Sequence, residues 1–188
     1  MKLEALAVKV LDAAEEAGAQ FMAVGAIAAG AYGVPRSTRD VDVLIEVPAA
    51  GREVERIAAI LQPLVEFDPQ IHFDGLTWGR RHVGRSREAP PYKVELFEVF
   101  DYPFVHSEFA RRRAVFVPML ERAVWLPSPE DVVVQKLRWG RNKDLDDARD
   151  VLAVQGPETL DMAYIETWCA QHGTLPRLRE ALASIPPL

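Results

Sequence analysis

The chain of 188 residues contains one cysteine, Cys169. No internal disulfide can form, and such sparing use of cysteine suits a reducing cytosol, which makes the cytoplasm the expected compartment. Flanked by Trp168 and Ala170, the thiol has no activating neighbour in sequence and reads as packed, not catalytic. No apolar run approaches the roughly 20 residues that span a bilayer, so no membrane partner is expected. The opening stretch, MKLEALAVKVLDAAEEAG, carries acids within its apolar pattern and predicts an amphipathic helix, not a signal peptide. An excess of basic charge is missing too. Net charge is −6, which argues against a general DNA binder. His72, His82, His106 and His172 lack zinc-ligand spacing. There is no Walker-type glycine loop and no Gly-x-Ser-x-Gly elbow, so serine-hydrolase chemistry has no support.

Basic residues are nevertheless clustered. One group is Arg80, Arg81, Arg85 and Arg87, a second is Arg111, Arg112 and Arg113, and a third is Lys136, Arg138, Arg141 and Lys143. A solvated face is the ordinary reading of any one cluster, but a small local anion site stays open.

The most informative stretch is residues 21–47, FMAVGAIAAGAYGVPRSTRDVDVLIEV. An apolar run ends in Gly25, a small-residue segment follows, and Asp40-Val41-Asp42 opens a second apolar run. Side chains alternate along a strand, so Asp40 and Asp42 point the same way. Two carboxylates aimed at one point repel unless a cation lies between them, and hard oxygen ligands suit Mg²⁺ (or Mn²⁺). A turn glycine exposes backbone N–H groups to an anion. Together these are the parts of a metal-dependent phosphoryl-transfer site. A two-metal site commonly uses a third carboxylate on a neighbouring strand. Residues 92–99, YKVELFEV, alternate as such a strand, and Glu95, Glu98 and Asp101 are the candidates.

Patterning predicts helices over 3–18, 26–33, 52–62 and 106–113, and strands over 21–24, 40–47, 92–99, 114–117 and 123–126. Two strand-like pieces, IHF and LTW, flank the turn Asp74-Gly75, and 82–91 reads as a polar loop ending in Pro90-Pro91. Character changes at Ser128-Pro129-Glu130, where an N-cap, an N1 proline and first-turn acids announce a helix. Four helices are predicted beyond it, over 129–139, 144–154, 158–171 and 175–184. The expected fold class is α+β, a mixed head over 1–127 with a helical C-terminal region, 128–188, packed on it.

The stretch around Asp40 resembles the nucleotidyltransferase superfamily related to DNA polymerase β, and more closely the bacterial AbiEii-type toxins and their relatives. Their pattern, "VGG.A...YG.PR.T.D.D", is matched here by Gly25, Tyr32, Gly33, Pro35, Arg36, Thr38, Asp40 and Asp42. Ala26 stands where that pattern has a second glycine or a serine, which removes a hydroxyl that could hold a phosphate. The family's "V-D-hydrophobic-hydrophobic" strand puts Glu95 on its aspartate. A second match lies in SPEDVVVQKLRWGRNKDLDDARDVL, where Lys136, Arg141, Lys143, Asp144 and Asp147 fall on the family's "SPEDL...K" and "R.KDL.D...L" positions. The resemblance implies a nucleotidyltransferase-like mixed sheet. It implies metal on Asp40, Asp42 and Glu95, and a nucleoside triphosphate held by Gly25, Ala26, Arg36, Thr38, Lys136 and Arg141. Asp144 and Asp147 would hold Lys136 or Arg141 in place. The acceptor it implies is a hydroxyl of RNA, a tRNA end or a protein, in the setting of a toxin with a cognate antitoxin. Two readings compete with this one. One is a catalytically degenerate protein that binds a nucleotide or a partner, with Ala26 and Glu95 as its motives. The other is an antitoxin-like or scaffold role for the helical tail.

Overall fold

The computed structural model describes residues 1–77, 79–89 and 91–185. The N-terminal apolar pattern forms helix α1 (Leu3–Glu16), which turns Leu6, Val10 and Leu11 inward. Strand β1 (Gln20–Ala23), helix α2 (Gly25–Tyr32) and strand β2 (Asp40–Glu46) follow. Next come α3 (Glu53–Leu61), β3 (Val65–Phe67), β4 (His72–Phe73), β5 (Arg80–Ser86) and β6 (Lys93–Glu98). The main sheet has the order β1-β2-β6-β5-β3, with β4 also paired to β5. Only the β2–β6 pair is parallel. A parallel pair needs a long crossover, here residues 47–92, and that crossover brings two distant segments side by side. Its register puts Asp42 opposite Glu95 and Asp40 opposite Lys93.

The two faces of β2 and β6 divide the labour. Val41, Val43, Ile45, Val94 and Leu96 are fully buried in the main core. The opposite face carries Asp40, Asp42, Lys93 and Glu95, and farther along the strands Leu44 and Phe97 meet Val105 and Phe109 in a second apolar cluster.

Strands β3 and β5 depart from the sequence expectation. Residues 82–86 belong to β5, not to a polar loop. The strand RRHVGRS has Val83 as its one β-branched residue, where a core strand usually carries several. It forms because β6 and β3 flank it on both sides, and because Arg81 and His82 pair with Glu95 and Glu98 across the ladder. The Asp74-Gly75 turn is built by Asp74 Oδ1, which accepts from the backbone N–H groups of Leu76 and Thr77. The LTW piece extends onto Trp78, and the 82–91 loop includes Pro90; both residues lie outside those described.

Helix α4 (Pro103–Ala110) begins three residues before the predicted start, because Pro103 supplies its first turn. A small second sheet pairs β7 (Arg113–Val117) with β8 (Arg122–Leu126). Ser128 caps α5 (Pro129–Trp139) by accepting from the Asp131 N–H, and α6 (Asn142–Gln155) follows at once. α7 (Met162–His172) starts four residues later than the spacing predicts, because Asp161 caps it and residues 157–160 form a turn. α8 (Leu175–Ala183) ends the described helices, eight in all. One apolar cluster runs from α1 through the sheet into α5, α6, α7 and α8. Cys169 is buried in it, as expected of a packed thiol. No described helix is long and apolar enough to cross a membrane.

Candidate active site

A cavity of about 240 Å³ lies against the polar face of β2 and β6. Its floor is Asp40, Asp42, Lys93 and Glu95, one end is the start of α2 at Gly25 and Ala26, and one wall is the α5–α6 corner. Gly25 adopts a φ of +63°, open to glycine at no steric cost. A Cβ at this position would also strike the Asp42 carboxylate. Glycine therefore lets the first turn of α2 close on Asp42, and the Val24 N–H donates to the Asp42 carbonyl at 2.9 Å. Thr38 accepts from the Asp40 N–H at 3.2 Å and so fixes the entry to β2.

The Asp42 carboxylate has no hydrogen bond or ion pair among the described residues. Burial, then the charges of Glu95 and Asp40, push its pKa up to about 7. Glu95 is placed differently. Arg81 Nη1 donates to its Oε1 at 2.9 Å and Lys93 Nζ stands 2.6 Å from its Oε2. Lys93 is also 3.7 Å from Asp40. Glu98 is held in turn by Arg80 at 3.2 Å and His82 at 2.7 Å. Asp101 is exposed, pairs with His106 alone among the described residues, and of the three candidates on and beyond β6 is the one outside the cavity.

The facing wall is a matched network. Lys136 is buried, with its Nζ 2.7 Å from Asp147 and 3.3 Å from Asp144. Arg36 grips Asp147 with two bonds, 2.7 and 2.9 Å long. Arg141 does the same to Asp144, at 2.5 and 3.2 Å. Burial alone would push Asp147 up, but the bonds from Arg36 and Lys136 outweigh it and hold the carboxyl below its ordinary value. The expected pairing of Asp144 and Asp147 with Lys136 and Arg141 is present, and Arg36 joins it instead of standing free. Trp139 lines the cavity with Arg141 5.1 Å over its ring.

Of the residues given a metal, nucleotide or positioning role from the family pattern, Gly25, Ala26, Arg36, Thr38, Asp40, Asp42, Glu95, Lys136, Arg141 and Asp144 line this cavity, whereas Asp147 lies behind the wall and reaches it through Lys136 and Arg36. The sequence assigns no role to Lys93 and shows Arg80 and Arg81 only as members of a basic cluster. Lys93 was legible, since strand alternation puts it on the Glu95 face, two residues away. The arginines were not, because β5 itself was not read as a strand.

The donor set suits a divalent ion in chemistry. Asp40 and Asp42 offer hard oxygens, and a cation would relieve the crowding that raises Asp42. Among the described residues no three acidic, histidine or cysteine side chains stand close enough to form a shell together. The expected three-carboxylate set is therefore not assembled here. Glu95 is turned to Arg81 and Lys93, and it would have to leave one of them to reach an ion.

No protein-family profile matches the chain, and no curated protein matches its sequence. Solved structures do match. The chain is similar to an antigenic nucleotidyltransferase-like protein from Paracoccidioides brasiliensis, with 20% identity, TM-score 0.59, and coverage of 99% of this chain and 94% of that one. It is similar to the antibiotic-resistance factor ANT(2'')-Ia in solution, with 17% identity, TM-score 0.60, and 94% of each chain covered. It is also similar to crystalline ANT(2'')-Ia in complex with adenylyl-2''-tobramycin, with 14% identity, TM-score 0.59, and coverage of 90% and 96%. The fold is thus the mixed α+β fold of nucleotidyltransferase-like proteins.

Proposed function

We propose that the protein is a metal-dependent nucleotidyltransferase, moving a nucleoside monophosphate from a nucleoside triphosphate to an acceptor hydroxyl. One observation carries this reading. A single cavity sets Asp40 and Asp42, the latter with no hydrogen bond or ion pair among the described residues, against a glycine-started helix and the basic corner of Lys136 and Arg141. Asp40 and Asp42 would hold Mg²⁺ or Mn²⁺, and the bound ion supplies charge neutralisation on the phosphates. The start of α2 at Gly25 and Ala26 lines the same space, and the free N–H groups of a helix start suit an anion. Lys136 and Arg141 complete the phosphate contacts, with Asp144, Asp147 and Arg36 fixing their positions. The acceptor oxygen forms the new bond to the α-phosphorus, pyrophosphate leaves in line, and Glu95 is the candidate for the hydroxyl proton.

The motif likeness to AbiEii-type toxins supports an RNA, tRNA-end or protein hydroxyl as acceptor and a cognate antitoxin as partner. The ANT(2'')-Ia complex, which holds an adenylylated small molecule, supports a small-molecule hydroxyl instead. Incubation with each α-labelled nucleoside triphosphate and Mg²⁺, followed by measurement of pyrophosphate and of label on RNA, protein and small-molecule fractions, tests the reading. Triphosphate binding without pyrophosphate release under any acceptor would sink it. That result would favour the degenerate nucleotide-binding reading, whose motives here are Ala26 and the capture of Glu95 by Arg81 and Lys93.

A further inference from the structure

Besides Asp42, seven acids are buried among the described residues: Asp74, Glu95, Glu108, Glu130, Asp131, Asp144 and Asp147. Six of them are hydrogen-bonded or ion-paired. Glu108, on α4 and 5% exposed, has neither kind of partner among the described residues. A buried, unpaired carboxyl costs stability, and a fold keeps one where a ligand is to meet it. Glu108 lines the cavity that Asp40 and Asp42 line, at a different end. Its charged neighbours are Asp131 and Arg138, whereas those of Asp42 are Glu95, Asp40, Lys93 and Lys136.

The surroundings of Glu108 define what could occupy this end. Phe100, Val105 and Trp139 supply apolar and aromatic wall. Gln135, one turn from Asp131 on α5, has its Oε1 buried without a partner. Asp131 is already committed: it accepts from Ser128 Oγ at 2.6 Å, from the Tyr164 hydroxyl at 2.5 Å and from Arg111 Nε at 3.2 Å. Arg138 lies over the Tyr102 ring at 4.6 Å and is not bonded to Glu108. Its Nη1 is also buried without a partner, but Arg138 does not line the cavity. The free groups that do line this end are a carboxyl, an amide oxygen and ring faces, the set that recognises an ammonium group.

We propose that the Glu108 end of the cavity is a subsite for a protonated amine carried by the acceptor. The word acceptor rests on the transferase reading; the cation subsite itself does not. Burial, with Asp131 adding to it, holds the empty carboxyl well above its ordinary value. An incoming ammonium reverses that penalty by supplying the missing charge partner, so amine-bearing molecules are selected over their hydroxyl analogues.

The test uses the full chain and two matched sugars, glucosamine and glucose, which differ by an ammonium in place of a hydroxyl. Binding is followed by NMR chemical-shift titration, with ATP and Mg²⁺ titrated separately. Glucosamine is expected to bind at least about tenfold more tightly than glucose, and Glu108→Gln is expected to erase the difference. Equal binding of the two sugars to the wild-type chain overturns the proposal. So does a Glu108→Gln variant that keeps the preference, or one that loses ATP affinity in its place, which would make this end a nucleobase pocket. Should Glu108→Gln fail to fold, Gln135→Met takes its place and is expected to weaken glucosamine severalfold with glucose unchanged. An amine preference that depends on Glu108 in a chain that binds no ATP would keep the cation subsite and remove the transferase reading. ATP turnover without amine preference would do the reverse.

Discussion

The two walls of the cavity treat charge in opposite ways. On the helix side, Asp144 and Asp147 meet Lys136, Arg36 and Arg141 in short bonds, and Asp147 is held below its ordinary pKa despite burial. On the sheet side, Asp42 has no such partner and is pushed up to about 7. Buried charge that is matched inside the protein fixes geometry; buried charge left unmatched stores a demand that only a ligand can meet. The helix wall is therefore a positioning device, and the sheet floor is where the ligand's charge is to be supplied. Glu95 stands between the two cases: it lies on the sheet floor but is matched by Arg81 and Lys93.

The contrast breaks most visibly at Asp42. Asp42→Asn should lower nucleotide transfer roughly a thousandfold or more, since a bound metal contributes several kcal/mol and each ~1.4 kcal/mol is tenfold. The same change should stabilise the fold. The native carboxyl keeps its proton to about pH 7, whereas an ordinary one loses it near 3.8. The folded state therefore binds more protons in that window, and wild-type stability falls as pH rises through it. Melting curves in EDTA from pH 4 to 8 should show this decline in the wild type and a shallower one in Asp42→Asn, where the raised carboxyl of Glu108 remains. A variant that keeps full transfer activity would reassign the floor.

The helix wall should respond the other way. Lys136→Met leaves Asp144 to Arg141 alone and Asp147 to Arg36 alone, so stability should drop by on the order of 3 kcal/mol. Triphosphate affinity should fall about tenfold, the loss of one charge-assisted contact. Denaturant unfolding and calorimetry read the two effects apart; lost affinity with intact stability would mean that the wall is not a matched network.

Gly25→Ala tests the closeness of α2 to Asp42. The positive φ and the collision of its Cβ with the carboxylate should together cost about 1–3 kcal/mol, seen in thermal unfolding. A fully stable Gly25→Ala would show that α2 does not have to press on Asp42.

A smaller and more pointed change is Glu95→Gln. Glu95 is second only to burial among the causes that raise Asp42. Its neutralisation should move the Asp42 titration down while leaving it above the ordinary value, as read by NMR of the carboxyl carbon. An unmoved titration would separate the two strands electrostatically and undo the pairing of Asp42 with Glu95 as one floor.

Much of this was legible along the chain. The alternation of Asp40-Val41-Asp42, the glycine before α2 and the Ser128-Pro129 start of α5 are local signals, set by backbone sterics and strand or helix period. They gave the mixed α+β fold class and brought most of the candidate residues to their elements. β5 was hidden because its polar residues gain their order from strands on both sides, not from their own propensity. Glu108 gave no signal either. It sits in a helix of ordinary pattern, and its isolation is a property of what does not reach it.

By itself, then, the sequence determined which side chains share a face within one element, since that follows from periods of 2 and 3.6 residues. Only the tertiary structure decided which faces meet. The parallel pairing of β2 with β6 joined Asp42 to Glu95 across more than fifty residues of chain. The α5–α6 corner gave Lys136 two carboxylates, and the packing of α4 on the sheet left Glu108 with no hydrogen-bond or ion-pair partner among the described residues. Charge matching depends on distances of a few ångströms between segments remote in sequence. No local pattern encodes those distances, so the division between a satisfied wall and an unsatisfied floor appears only once the chain is folded.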